Sequence, residues 1–191
     1  MEKEIIAAEV AKTEKKTTRT KAAPKKVEKT IEDLKETDRV AIDNLCDWNI
    51  NFKAEETGKD IVIPAAVKNY KMLTLTEVTA QVRVNNIAFA GIDGFGAHAA
   101  IRILDPLVRE YVFQEVVDPV QLTEDAVIDM LAIENRSEYE STLSELVVTD
   151  SEKRMIAIMC SDNATHPNVN IDDVVSYKIG AIERLSGIKI D

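Results

Sequence analysis

The stretch Asp47-Trp-Asn-Ile-Asn-Phe-Lys53, followed by Gly58-Lys-Asp-Ile-Val-Ile-Pro64, decides how the first half of the chain reads. Trp48, Ile50 and Phe52 alternate with Asn49, Asn51 and Lys53, the period of a strand with one buried face. Glu55-Glu-Thr-Gly58 supplies turn residues, and Asp60–Ile63 gives a second strand stopped by Pro64. A short loop between two such strands predicts a hairpin.

Downstream, Thr74-x-x-Glu77 is a capping-box pattern that opens a helix carrying Val78 and Val82. Ile87–Ile92, the turn residues Asp93-Gly-Phe-Gly96 and the alternating Ala97–Leu104 read as a second hairpin. Residues 38–104 are therefore expected to form a small ββαββ sheet or partial barrel.

Residues 105–191 carry a different pattern. Asp105-Pro106 opens a helix with a side-chain acceptor followed by a residue that has no amide hydrogen to satisfy. Residues 107–116 also read as a strand, because they are rich in Val and aromatics. Thr123, Ser137-x-x-Glu140, Thr149-x-x-Glu152 and Asn170 each precede an apolar stripe at helical spacing, and Gly187 marks a stop. Each stripe needs a partner face, which predicts an antiparallel helical bundle. The expected class is α+β.

Upstream, residues 1–37 are low in complexity. Thr13–Val27 has no aromatic and one large aliphatic, too little apolar surface to offset the entropy of ordering. A disordered basic arm is expected, with a short helix over Glu2–Lys12 as an option. Three segments follow: the arm at 1–37, a β-rich domain at 38–104 and an acidic helical domain at 105–191.

The 191 residues carry a net charge of −10, spread unevenly. Residues 1–30 are net +4, residues 31–104 net −3 and residues 105–191 net −11. Residues 11–30 hold eight basic side chains, Lys12, Lys15, Lys16, Arg19, Lys21, Lys25, Lys26 and Lys29, against two acidic ones. Such a run neutralises phosphates or lies on an acidic protein surface. The absence of interleaved aromatics gives no sign of base stacking. A solvated linker is the plain alternative.

Catalytic templates are scarce. Gly94-x-Gly96-x-x-Ala99 matches a loose dinucleotide fingerprint, but the residues after it alternate as in a strand, where a phosphate site needs a helix. His98 reads as a surface or interface histidine, and His166 as a loop residue in a turn-rich connection. Cys46 and Cys160 read as reduced core thiols. Trp48 reads as core, and Phe95 as an aromatic at a turn tip, offered with His98 as a candidate interface. No metal-ligand spacing, cofactor motif, secretory signal or membrane-length apolar run occurs in the sequence. Catalytic, cofactor-binding and metal-binding residues are therefore all expected to be none.

Asp47–Lys53, Gly58–Pro64, Leu73-Thr-Leu-Thr-Glu77, Gly94-x-Gly96-x-His98-Ala-x-Ile-Arg-Ile103 and Glu145–Arg154 together resemble small uncharacterised virion accessory or structural proteins of tailed bacteriophages. The resemblance spans residues 40–185 and is structural in its motifs. It implies a non-enzymatic, capsid-associated or head–tail component, made in the host cytoplasm and built into an oligomeric particle. The arm would contact other virion proteins, copies of the same chain or packaged DNA. An acidic binding module, a regulator or inhibitor gripping a basic partner protein, is the alternative.

Overall fold

The structure, a computed structural model, describes residues 30–65, 71–162 and 164–190. Residues 1–29 of the expected 1–37 arm, including all eight basic side chains from Lys12 to Lys29, lie outside the described residues, whereas residues 30–37 are described. The chain is α+β, with five strands in two small sheets and seven α-helices among the described residues.

The hairpin around Trp48 forms as expected. Strand β2 (Ile50–Lys53) pairs antiparallel with β3 (Asp60–Ile63), Ile50 facing Ile63 and Lys53 facing Asp60. The second sheet is built around β1 (Arg39–Asn44), which the sequence reading left outside its ββαββ scheme. Its burial alternates, with Val40, Ile42 and Asn44 inside. On one side β1 pairs antiparallel with β4 (Lys71–Thr74), and on the other with β5 (Ile101–Ile103).

Asn44 joins the two sheets. Its amide nitrogen donates to the carbonyls of Trp48 and Pro64, each at 2.8 Å, and its carbonyl oxygen accepts from the Cys46 amide at 2.9 Å. A buried amide satisfied in this way fixes the turn that carries Asp47.

The segment before β1 is tied to the body. A 3₁₀ turn at Ile31–Asp33 is capped by Thr30 and Asp33, Leu34 packs on the first core, and Glu36 and Asp38 carbonyls accept from Thr76 and Leu75 amides.

Helix α1 (Leu75–Arg83) starts at Thr74, whose hydroxyl accepts from the Glu77 amide at 3.3 Å. Glu77 does not close the box. Its carboxylate turns inward to Gln81 Nε2 at 2.7 Å, and Gln81 donates to the Lys53 carbonyl at 2.8 Å. This buried polar chain fastens α1 to β2.

The expected hairpin over 87–104 is corrected. Asn86 accepts from the Ala88 amide and starts a short helix, α2 (Ile87–Ala90). A four-residue apolar run has no period of its own, and the cap decides its conformation. Strand β5 pairs with β1, not with residues 87–92.

Residues 107–113 resolve as helix and residues 114–116 lie beyond its end. Helix α3 (Pro106–Phe113) begins at Asp105 and ends where Gln114 adopts a left-handed conformation, φ 56°. Its Val108, Val112 and Phe113 join Val40, Ile42, Leu73, Val78, Phe89 and Ile101 in the first core.

The second core is helical. Helix α4 (Glu124–Ala132) is capped by Thr123, and α6 (Asp150–Ser161) by the full Thr149–Glu152 box. Helix α5 (Arg136–Leu146) starts at Asn135, which accepts from the Glu138 amide, so the expected Ser137 cap is corrected by two residues. Helix α7 (Ser176–Ser186) starts six residues after Asn170. Asn170 instead accepts from its neighbouring Asp172 amide at 2.9 Å, a turn that competes with helix. Gly187 ends α7 at φ 72°, as expected.

Tyr139, Met130, Met155, Ile156 and Ile182 fill this core, joined by Cys46 from the turn after β1. The Tyr139 hydroxyl donates to the Lys178 carbonyl at 3.0 Å, and Lys178 Nζ donates to the Leu131 carbonyl at 2.6 Å. Cys46 and Cys160 are free and buried.

Candidate functional site

Both histidines of the chain sit where its two halves meet, and both face carboxylates. His166 lies in a loop as expected but is buried there, and His98, expected at a surface or interface, turns its side chain inward.

His98 has a left-handed backbone, φ 59°, in the loop between α2 and β5. That loop is held from within. Asp93 Oδ1 accepts from the Phe95 and Ala97 amides, and the His98 amide donates to the Val120 carbonyl at 2.7 Å. The imidazole turns inward, with 9 % of its side chain exposed, and Nδ1 lies 2.8 Å from Glu152 Oε1. The other carboxylate oxygen of Glu152 accepts from the Val148 amide, the Thr149 amide and the Thr149 hydroxyl. One side chain thus caps α6 and grips the loop at His98.

A cavity of about 20 Å³ lies beside this pair, lined by Cys46, His98, Ala99, Leu122, Ser151 and Met155 among others. A space that size admits one water molecule. Cys46 Sγ lies 3.4 Å from Ser151 Oγ. Burial pushes the Cys46 thiol up, the Ser151 contact pulls it partly back, and the Asp47 and Glu152 carboxylates push it up further. A thiol kept neutral in this way is a poor nucleophile.

His166 is 3 % exposed, in the connection between α6 and α7. Nδ1 lies 2.6 Å from Glu124 Oε1 at the start of α4, and Nε2 lies 2.8 Å from Asp47 Oδ2 in the turn after β1. A neutral imidazole has only one N–H, so two carboxylate partners require the doubly protonated ring. Burial, the largest single influence, lowers its pKa, but the hydrogen bonds and charges of Asp47 and Glu124 outweigh it and the net shift is upward. The site therefore holds a cation between two anions and joins three separate segments. Asn168 supports it by donating to Glu124 Oε2 at 3.2 Å.

Comparison with protein-family models, curated proteins and solved structures finds no match.

Among the described residues no group of three or more His, Cys, Asp or Glu is arranged to hold a metal ion, and no helix is long and apolar enough to cross a membrane. The residues after Gly94-x-Gly96 enter β5, so the phosphate fingerprint lacks its helix. Phe95 is 41 % exposed in the loop before His98, and Ile87 and Ile92 nearby are 65 % and 51 % exposed. Trp48 is half-buried on the helical core, with the Arg154 guanidinium 5.2 Å from its ring centre.

Sequence reasoning missed Asp47, Glu124 and the inward turn of both histidines. The Thr149–Glu152 box was visible, but nothing local ties Glu152 to a residue 54 positions away.

Proposed function

We propose that the chain is a non-enzymatic structural or assembly component of a bacteriophage particle, capsid-associated or at the head–tail junction. Its N-terminal arm would contact neighbouring subunits or packaged DNA. The observation that carries this reading is the charge contrast within one chain. Residues 1–30 are net +4, while residues 31–191 are net −14. A basic arm on an acidic body is complementary to the body of a neighbouring copy as well as to phosphates.

The state of the polar side chains supports the same reading. His98 bonds to Glu152 and His166 to Asp47 across the body, and the cavity that His98 and Glu152 border has room for one water. These groups act as ties between elements.

The test is deletion of residues 1–29, which leaves the Thr30–Asp33 turn intact. The shortened chain is expected to fold and to be lost from assembled particles. Normal incorporation of the shortened chain would overturn the reading. A gel-shift titration against DNA at two salt concentrations separates the two partners. Binding that weakens steeply with salt marks phosphate contacts, and no binding leaves protein surfaces.

A further inference from the structure

A groove of about 500 Å³ opens between the 3₁₀ turn at Ile31–Asp33, α1 and the C-terminal end of α3. Its walls include Ile31, Thr79, Arg83, Tyr111, Glu115 and Val116. Several of its groups lack counterparts. Thr79 Oγ1 is buried with no hydrogen-bond partner. Val116 is 81 % exposed, the most exposed of the large hydrophobic side chains among the described residues. Glu110 and Glu115 line the groove without an ion pair among the described residues. The groove also lies where the described chain begins, since Ile31 is one of its walls and Thr30 is the first described residue.

We propose that this groove seats the segment that directly precedes it in the same chain, Lys25-Lys-Val-Glu-Lys29. The match is chemical. Val27 is the only large aliphatic between Thr13 and Lys29, and it answers the exposed Val116. Lys25, Lys26 and Lys29 answer Glu110 and Glu115, and Glu28 answers Arg83. Val27 lies four residues before Ile31, a reach of about 13 Å in extended chain, enough to span a groove of this size. Because the segment is tethered at the rim, individually weak contacts suffice to hold it. The arm that is free to meet a partner then shortens to residues 1–24, ending at Pro24. The inference concerns the root of the arm and holds whatever the tip binds.

Limited trypsin digestion of the full chain, read by mass spectrometry, tests it. Cleavage after Lys25, Lys26 and Lys29 is expected to be at least about tenfold slower than cleavage after Lys12, Lys15, Lys16, Arg19 and Lys21. Val116→Asp and Val27→Asp should each raise the slow sites to the rate of the others. Melting temperatures of both variants that stay well above the digestion temperature control for unfolding. Equal rates in the unmodified protein overturn the proposal. So does protection that survives both substitutions, since nearness to the folded body would then explain it. Protection that grows with protein concentration also overturns it, and assigns the groove to the arm of a second copy. None of these results alters the expectation for deletion of residues 1–29, so the two proposals fail separately.

Discussion

The imidazole of His166 approaches Glu124 to 2.6 Å through Nδ1 while its other nitrogen engages Asp47, so the ring is held as a cation inside the fold. The sign of the resulting pH dependence follows. The folded pKa lies above the ordinary value, so the stabilisation is complete below about pH 6.5, where both folded and unfolded chains carry the proton. It is lost as pH rises through the folded value. Urea midpoints of the unmodified protein are expected to fall from pH 6 towards pH 9. His166→Gln, which offers a donor to only one carboxylate, should cost about 2 to 3 kcal/mol at pH 6 and progressively less at higher pH. A pH-independent difference between the two would show that the ring is neutral.

Glu152 serves two ends at once, and its loss should exceed that of an ordinary cap. Thr149→Ala removes a helix cap and is expected to cost about 1 kcal/mol. Glu152→Ala removes the reciprocal half of the box and strips His98 of its partner, for about 3 kcal/mol, or roughly 6 to 12 °C in melting temperature for a chain of this size. Equal shifts for the two variants would mean that the His98 contact contributes nothing.

Two glycines in one loop make a paired test of backbone space. A Cβ at Gly91, φ 67°, would lie 2.0 Å from the Ala97 carbonyl oxygen, whereas one at Gly94, φ 84°, meets nothing within 4 Å. Gly94→Ala should cost only the left-handed strain, about 1 kcal/mol. Gly91→Ala must also displace backbone, for more than about 3 kcal/mol. Chemical denaturation of both variants checks the order.

The thiols offer a probe of local opening. Burial pushes Cys160 up to about 12, and Cys46 is shifted in the same direction. Both should react with a disulfide reagent at pH 8 at least about a hundredfold more slowly in the native protein than in denaturant. Fast reaction at Cys46 alone would show that the cavity beside His98 opens on its own.

The parts of this fold that rest on neighbours in sequence were legible. The Trp48–Phe52 alternation and a short turn were enough for the β2–β3 hairpin. Asp105-Pro106, Thr123 and Thr149-x-x-Glu152 marked three helix starts because a cap acts within four residues. Patterns that two residues could satisfy were misplaced. Ser137 lost to Asn135, and Asn170 bonded to its own turn. Strand β1 was hidden because its alternation ends in a buried Asn44, whose cost is met by carbonyls up to 20 positions away. The carboxylates of both histidines were illegible for the same reason, being brought in by tertiary packing alone.

The span of the His166 contact has a consequence for how the protein is made. Asp47 lies 119 positions before His166. At about 5–20 residues per second, Asp47 waits on the order of ten seconds of synthesis for its partner. During that interval the turn after β1 carries a carboxylate built for burial with nothing to neutralise it. The Asp47–His166 contact therefore closes only after the connection between α6 and α7 has been made, and until then Asp47 is solvated by water.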